Sequence, residues 1–343
     1  MSKSVNTKMI VNSKQITIRE RLLKSGRYFF GALRSNLMEY YTWCLFVGIY
    51  LATGIFVPTL FNPVTFLNMV VVQGTTVGLL SIGMAYVMLV GEIDLSVVAV
   101  AAFAPMTGII SWEIGFPVPA SILLTLLIGV GVGLFNGWLV TKFKIPSLVQ
   151  TVAMWWMLSG IVLIVTRGVA KAGLPDAWMR LGRVFVGPIQ LLVLFFIVVV
   201  ICAVLFARRT VTGRRIYMVG GNSEACSAMG IPVDKIRIIA FMISGFFAAL
   251  AGYVLSARMG FVSARFAVEW LMPAIAAPVI AGVSLTGGRG NLINVVAGAY
   301  LVQLIVIVVR AGGVSGYSYE FVQGLLVFTA ILVDTIRRRI TGR

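Results

Sequence analysis

Two carboxylates sit where their surroundings offer them little. Gly91-Glu92-Ile93-Asp94-Leu95-Ser96 lies inside an apolar run from Val64 to Ile110 that is too long for one crossing of a bilayer. A charge at the bilayer centre costs at least about 2.5–3.5 kcal/mol, so such residues face a cavity, a pore or a partner. Glu92, Asp94 and Ser96 are therefore the candidates for a translocation path or gate. Gly91 can break a helix, and Asp94 or Ser96 can cap the next one. Two settings stay open: a tight cytoplasmic turn with an ordinary cap, or a helix broken within the membrane.

A second constellation is mechanical. Within the polar insertion 207–236, the residues Asn222 to Met229 predict one short helix. Asn222 or Ser223 can cap its start, Glu224 suits the positive end of its dipole, and Gly230 can end it ahead of Ile231 and Pro232. A small capped helix on the longest insertion is a lever for another protein to push, with Asn222, Glu224, Ala225, Ala228, Gly230 and Ile231 as its contact residues.

A third segment, Val279 to Gly290, is rich in glycine and follows Pro273 and Pro278. Its glycines suit either an anion nest or close packing with a tight turn, and the second is preferred. No G-x-x-x-x-G-K-S/T phosphate loop occurs, so the chain cannot be its own ATPase by that route. There is no His, and Cys44, Cys202 and Cys226 are scattered. No catalytic group, cofactor site, metal site or disulfide is expected.

The elements that must carry these segments are apolar helices. Of 343 residues 59% are hydrophobic and 11% charged, where a soluble chain has about 25% charged. Spans are predicted near 41–58, 65–90, 96–112, 118–141, 147–166, 188–206, 237–257, 270–285, 291–309 and 318–336. That is an all-α integral membrane protein of about ten transmembrane helices, with N- and C-termini on one side. Of the 28 Lys and Arg, 21 fall on that side, which the positive-inside rule makes cytoplasmic. The net charge of +17 is thus a topology signal and an attraction to anionic membrane lipid, and nucleic acid is not a partner. Residues 1–40 read as a basic cytoplasmic segment without a cleavage site, 41–336 as one transmembrane domain, and 337–343 as a basic cytoplasmic tail. Outer loops are expected at 167–187 and 258–269.

The three segments, in this order and spacing, resemble the ribose-type permeases of ATP-binding-cassette importers, the family that also serves autoinducer-2 uptake. Gly91, Asp94, Leu95 and Ser96 match its acidic stretch, and Pro146 to Thr151 its entry to the fifth span. Gly220-Gly221-Asn222 with Ala225, Gly230 and Ile231 matches its coupling loop, and Glu269 to Gly290 its eighth span. Val98, Ser159, Ala281, Val283 and Val309-Arg310 depart from the residues usual there. The resemblance implies a multi-pass permease subunit of the bacterial inner membrane, moving a sugar or sugar-like solute. Its partners would be cytoplasmic ATPase subunits, a periplasmic or lipid-anchored solute-binding protein and a second permease copy, identical or a sister chain. An ion-coupled secondary carrier using Asp94 is the rival reading; a membrane-embedded enzyme is the weakest, for want of His.

Overall fold

The computed structural model describes residues 41–311 together with Phe321, Gly324, Leu325, Phe328, Thr329 and Leu332. The basic segment 1–40, nearly all of the last expected span and the tail lie outside the described residues. The chain divides into two compact units after Leu45, and the helix bundle belongs to the second.

Helices, most of them apolar, make up most of the described chain, because a backbone in hydrocarbon must satisfy its own hydrogen bonds. They are α1 Tyr41–Phe56, α2 Pro63–Leu89, α3 Val97–Glu113, α4 Val118–Phe143, α5 Ser147–Thr166, α6 Asp176–Arg183 and α7 Leu191–Arg209. Then come α8 Val211–Gly221, α9 Ser223–Ala228, α10 Val233–Met259, α11 Val268–Ile280 and α12 Leu292–Ala311. Six of these, α2, α4, α5, α7, α10 and α12, are long and apolar enough to cross a membrane. The segments expected as full spans at 41–58, 96–112 and 270–285 are shorter apolar helices. The last stops at Ile280: Ala281 N closes on Ala277 O at 3.0 Å, and Gly282 then turns the chain at φ +82°.

Enclosure differs sharply between helices. The most apolar stretch of α2 is 89% buried, against 22% for α4. Leu123, Leu127 and Leu134 on α4 and Ile164 on α5 are exposed, as lipid-facing positions must be. The other face of α4 is a stripe of small residues, Gly129, Gly133 and Gly137, set four apart. A Cβ on Gly129 or Gly133 would overlap the carbonyl oxygens of Gly245 and Phe241 on α10, so the two backbones touch directly. Where lipid tails are as apolar as Leu, such close packing supplies the attraction between helices.

The two expected outer loops meet each other. A strand β1, Lys171–Ala172, pairs antiparallel with a later one, Phe261–Val262, and Lys171 bridges Glu113 at 2.6 Å. The amphipathic α6 lies beside this pairing and anchors itself by Trp178, which is fully buried. Its Nε1 donates to Ser256 Oγ at 3.0 Å. The insertion 207–236 is more helical than expected: α7 continues to Arg209, and α8 precedes the short α9.

Candidate functional site: a joint of three turns

Helices α2 and α3 are separated by the Gly91–Ser96 turn, and its backbone explains the break. Gly91 adopts φ +81°, which ends α2, and Glu92 N still donates to Val87 O at 3.1 Å. Ser96 precedes α3 without a capping bond from its own side chain. Asp94 bonds instead to Ser96 itself, ahead of the first turn. Its Oδ1 accepts from Ser96 N at 3.0 Å and from Ser96 Oγ at 2.6 Å, while its Oδ2 accepts from Ser244 Oγ of α10 at 2.8 Å.

Asp94 is only 1% exposed, so three donors take the place of water around its carboxylate. The bonds extend across the bundle. Asn136 of α4 donates to Ser96 Oγ at 3.0 Å and accepts from Gln150 of α5 at 3.3 Å. The turn's own N–H groups at Ile93 and Leu95 donate to Ser147 Oγ and Thr151 Oγ1, at 3.3 and 3.1 Å. A break between two helices is thereby pinned to three others, α4, α5 and α10. Glu92 also reaches α10, pairing with Arg237 at 3.7 Å.

The short helix expected over Asn222–Met229 is observed as α9. Asn222 Oδ1 accepts from Ala225 N at 2.8 Å, and Gly230 leaves the helix at φ +76°. Glu224, Ala225, Ala228, Met229 and Gly230 are exposed, Ile231 is half-buried, and Cys226 turns inward. Six residues with one inward side chain make a projecting element rather than a packed one.

The three segments that stand apart in the sequence touch in space. A Cβ on Gly220, at the end of α8, would overlap Leu89 O at the end of α2 and crowd Gly288 N. Gly288 N in turn donates to Leu89 O at 2.9 Å, and Gly287 sits against Gly91 and Gly220. No side chain separates these turns, so a displacement of one is felt by the others through backbone contact. Between them lies an open cleft of about 350 Å³, lined among others by Gly91, Gly220, Asn222, Glu224, Arg237 and Thr286. Its partners were readable only in part. Asn136 and Ser244 were visible as polar residues inside apolar spans, but nothing in the sequence tied them to Asp94.

Apolar helices of spanning length, a break pinned by buried polar bonds and a small helix projecting beside that break define a multi-pass membrane transport component. The chain belongs to the family described as branched-chain amino acid transport system / permease component, which it matches over residues 66–331. It is a permease subunit of the bacterial inner membrane. Among curated proteins it is similar to the autoinducer 2 import system permease protein LsrC of Yersinia enterocolitica, at 32% identity over 84% of this chain and 80% of that one. The protein of the same description from Photorhabdus luminescens is 34% identical over 75% of this chain and 77% of its own, and that of Enterobacter sp. is 33% identical over 78% of each. No solved structure matches.

Proposed function

We propose that this permease imports a sugar-like solute of the autoinducer 2 class, driven by ATP hydrolysis on separate cytoplasmic subunits. A solute-binding protein on the outer face and a second permease copy complete the assembly. The chain runs through ten spans with both ends in the cytoplasm, a reading supported by the 21 of 28 basic residues on that side. The observation that carries the coupling role is the backbone contact of Gly220 and Gly288 with Leu89. Through it, a push on α9 reaches the α2–α3 break without passing through a flexible side chain.

In this mechanism Glu92, Asp94 and Ser96 act as a gate, not as a wall for the solute. Asp94 has all its donors within the protein, so it holds the break in one geometry. Movement of the α8 end and of the Gly287-Gly288 turn shifts the break and with it α3 relative to α2. No group in this path needs to change covalently, and weak contact with the solute favours release.

The test is uptake by the whole complex, reconstituted with its ATPase and binding protein, from a panel of autoinducer 2, D-ribose, D-xylose, D-galactose and L-leucine. ATP-dependent import of a sugar-like member is expected. Import of L-leucine alone, or uptake that an uncoupler abolishes while ATP remains, would overturn the reading.

A further inference from the structure

A polar solute crossing this bundle needs hydrogen-bonding groups with capacity to spare, and the Asp94 carboxylate, with three donors already on its two oxygens, is a poor source of it. Spare capacity lies elsewhere, on the most enclosed helix. Gln303 Nε2 of α12 donates to Gln73 Oε1 of α2 at 3.0 Å. Each amide carries two donor hydrogens and an acceptor oxygen. Among the described residues, Gln73 Nε2 and Gln303 Oε1 make no bond, although Gln303 is only 5% exposed.

One helical turn along α2, on the same side as Gln73, lies Thr76. It is 1% exposed, and its Oγ1 has no partner among the described residues. A threonine in a helix ordinarily returns its hydroxyl to the carbonyl one turn back. Thr75 does so with Val71 O at 2.9 Å, as do Thr125, Thr151 and Thr166 in their helices. Thr76 does not. An orphaned hydroxyl in a native interior calls for an explanation, because burial without a partner costs free energy.

The backbone is irregular at the same place. Residues Leu67–Val72 form a π-helical segment, and Arg258 of α10 donates from Nη1 to Val72 O at 3.3 Å. Such segments interrupt a helix's regular ladder and recur where helices serve a function. Gln73 stands sixteen residues from Leu89, about 24 Å along the axis, so this locus is remote from the three-turn joint.

We propose that Gln73, Thr76 and Gln303, with the guanidinium of Arg258, form the wall that a hydroxyl-bearing solute touches in the half of the bundle away from the joint. The proposal rests on the sugar-import reading above. Amides and a hydroxyl both donate and accept, which suits neutral hydroxyl and carbonyl groups. Gln73 and Gln303 close on one another in the conformation described, and the π segment gives α2 a place to shift and open them.

Single cysteines at Thr76, Gln303 and Ile164, with Cys44, Cys202 and Cys226 replaced by Ala, test this in the assembled complex with the charged, water-borne reagent MTSET. A thiol reacts as thiolate, which needs water beside it. Thr76→Cys and Gln303→Cys should react at least about tenfold faster than the 78%-exposed Ile164→Cys, and only in one nucleotide state. Equal reaction in every nucleotide state supports the wall and overturns ATP-driven gating. Rates no faster than at Ile164 in any state overturn the wall. Thr76→Val and Gln303→Leu should then cut import of the panel solute about tenfold, with basal ATPase kept, each removing one bonding group. Unchanged import would overturn contact with the solute.

Discussion

Asp94 shows how a carboxylate is kept inside a membrane bundle without a cation. Its two oxygens accept three hydrogen bonds, and no ion pair to it occurs among the described residues. Asp94→Asn keeps one acceptor oxygen and replaces the other by an NH₂: turned to Ser96 N it sets donor against donor, and turned to Ser244 Oγ it makes that hydroxyl accept and leaves the hydroxyl proton without its Asp94 acceptor. Leaving a buried donor unmet costs about 1–3 kcal/mol. The expected result is a melting temperature in detergent several degrees lower and uptake down about tenfold, with insertion retained. Ser244→Ala, which deletes one of the three donors, should show a smaller loss of the same kind. Wild-type melting and uptake in Asp94→Asn would mean that these bonds carry nothing. A second residue-scale comparison uses two neighbouring glycines. Gly220→Ala cannot be accommodated against Leu89 O, whereas a Cβ on Gly221 meets open space. Loss of solute-stimulated ATP hydrolysis is therefore expected for Gly220→Ala and near-normal activity for Gly221→Ala.

Among the elements, α9 and α4 do opposite jobs. α9 is held by its cap at Asn222 and its inward Cys226, and offers Ala225 and Ala228 to the outside. Ala225→Trp blocks close approach of a partner, and Gly230→Val strains a backbone at φ +76°. Both should leave the permease inserted yet uncouple ATPase activity from loaded binding protein; normal coupling in Ala225→Trp would remove α9 from the mechanism. Cys226 is 2% exposed, so Cys226→Ser buries a hydroxyl and is a poorer control than Cys226→Ala. α4 is instead a packing element. Gly133→Val would drive its side chain into the Phe241 carbonyl, and a sharp fall in the yield of folded protein is the expected outcome.

For the molecule as a whole, topology is the property that everything else depends on. Ala172 pairs with Phe261 across the two loops proposed to be outer, and Ser263 follows directly after that strand. Cysteines at Ala172 and Ser263 should accept an impermeant reagent from outside, and a cysteine at Ser223 only from inside. Labelling of Ala172→Cys from the cytoplasm would invert the orientation and move the three-turn joint to the wrong face for ATPase subunits. The joint itself is a whole-molecule feature, since it gathers residues from positions 89, 220 and 288.

Apolar length, the side preference of Lys and Arg, and the punctuation by Gly91, Asn222 and Gly230 act locally, each within a few turns of chain. The sequence alone therefore determined a helical membrane protein, the interruption after Gly91 and the short helix at Ser223–Ala228. Local signals carry no information about which helices meet. Whether Asp94 faces a path or a packed interior depended on Ser244, 150 residues away, and the binding of the three turns depended on glycine backbones that exert no pattern of their own. The stripe Gly129, Gly133, Gly137 was legible as small residues four apart, but only the position of α10 gives that stripe its surface. Contacts of that kind are made by shape and hydrogen bonding between distant segments, and tertiary structure decides them because it alone brings those segments within reach.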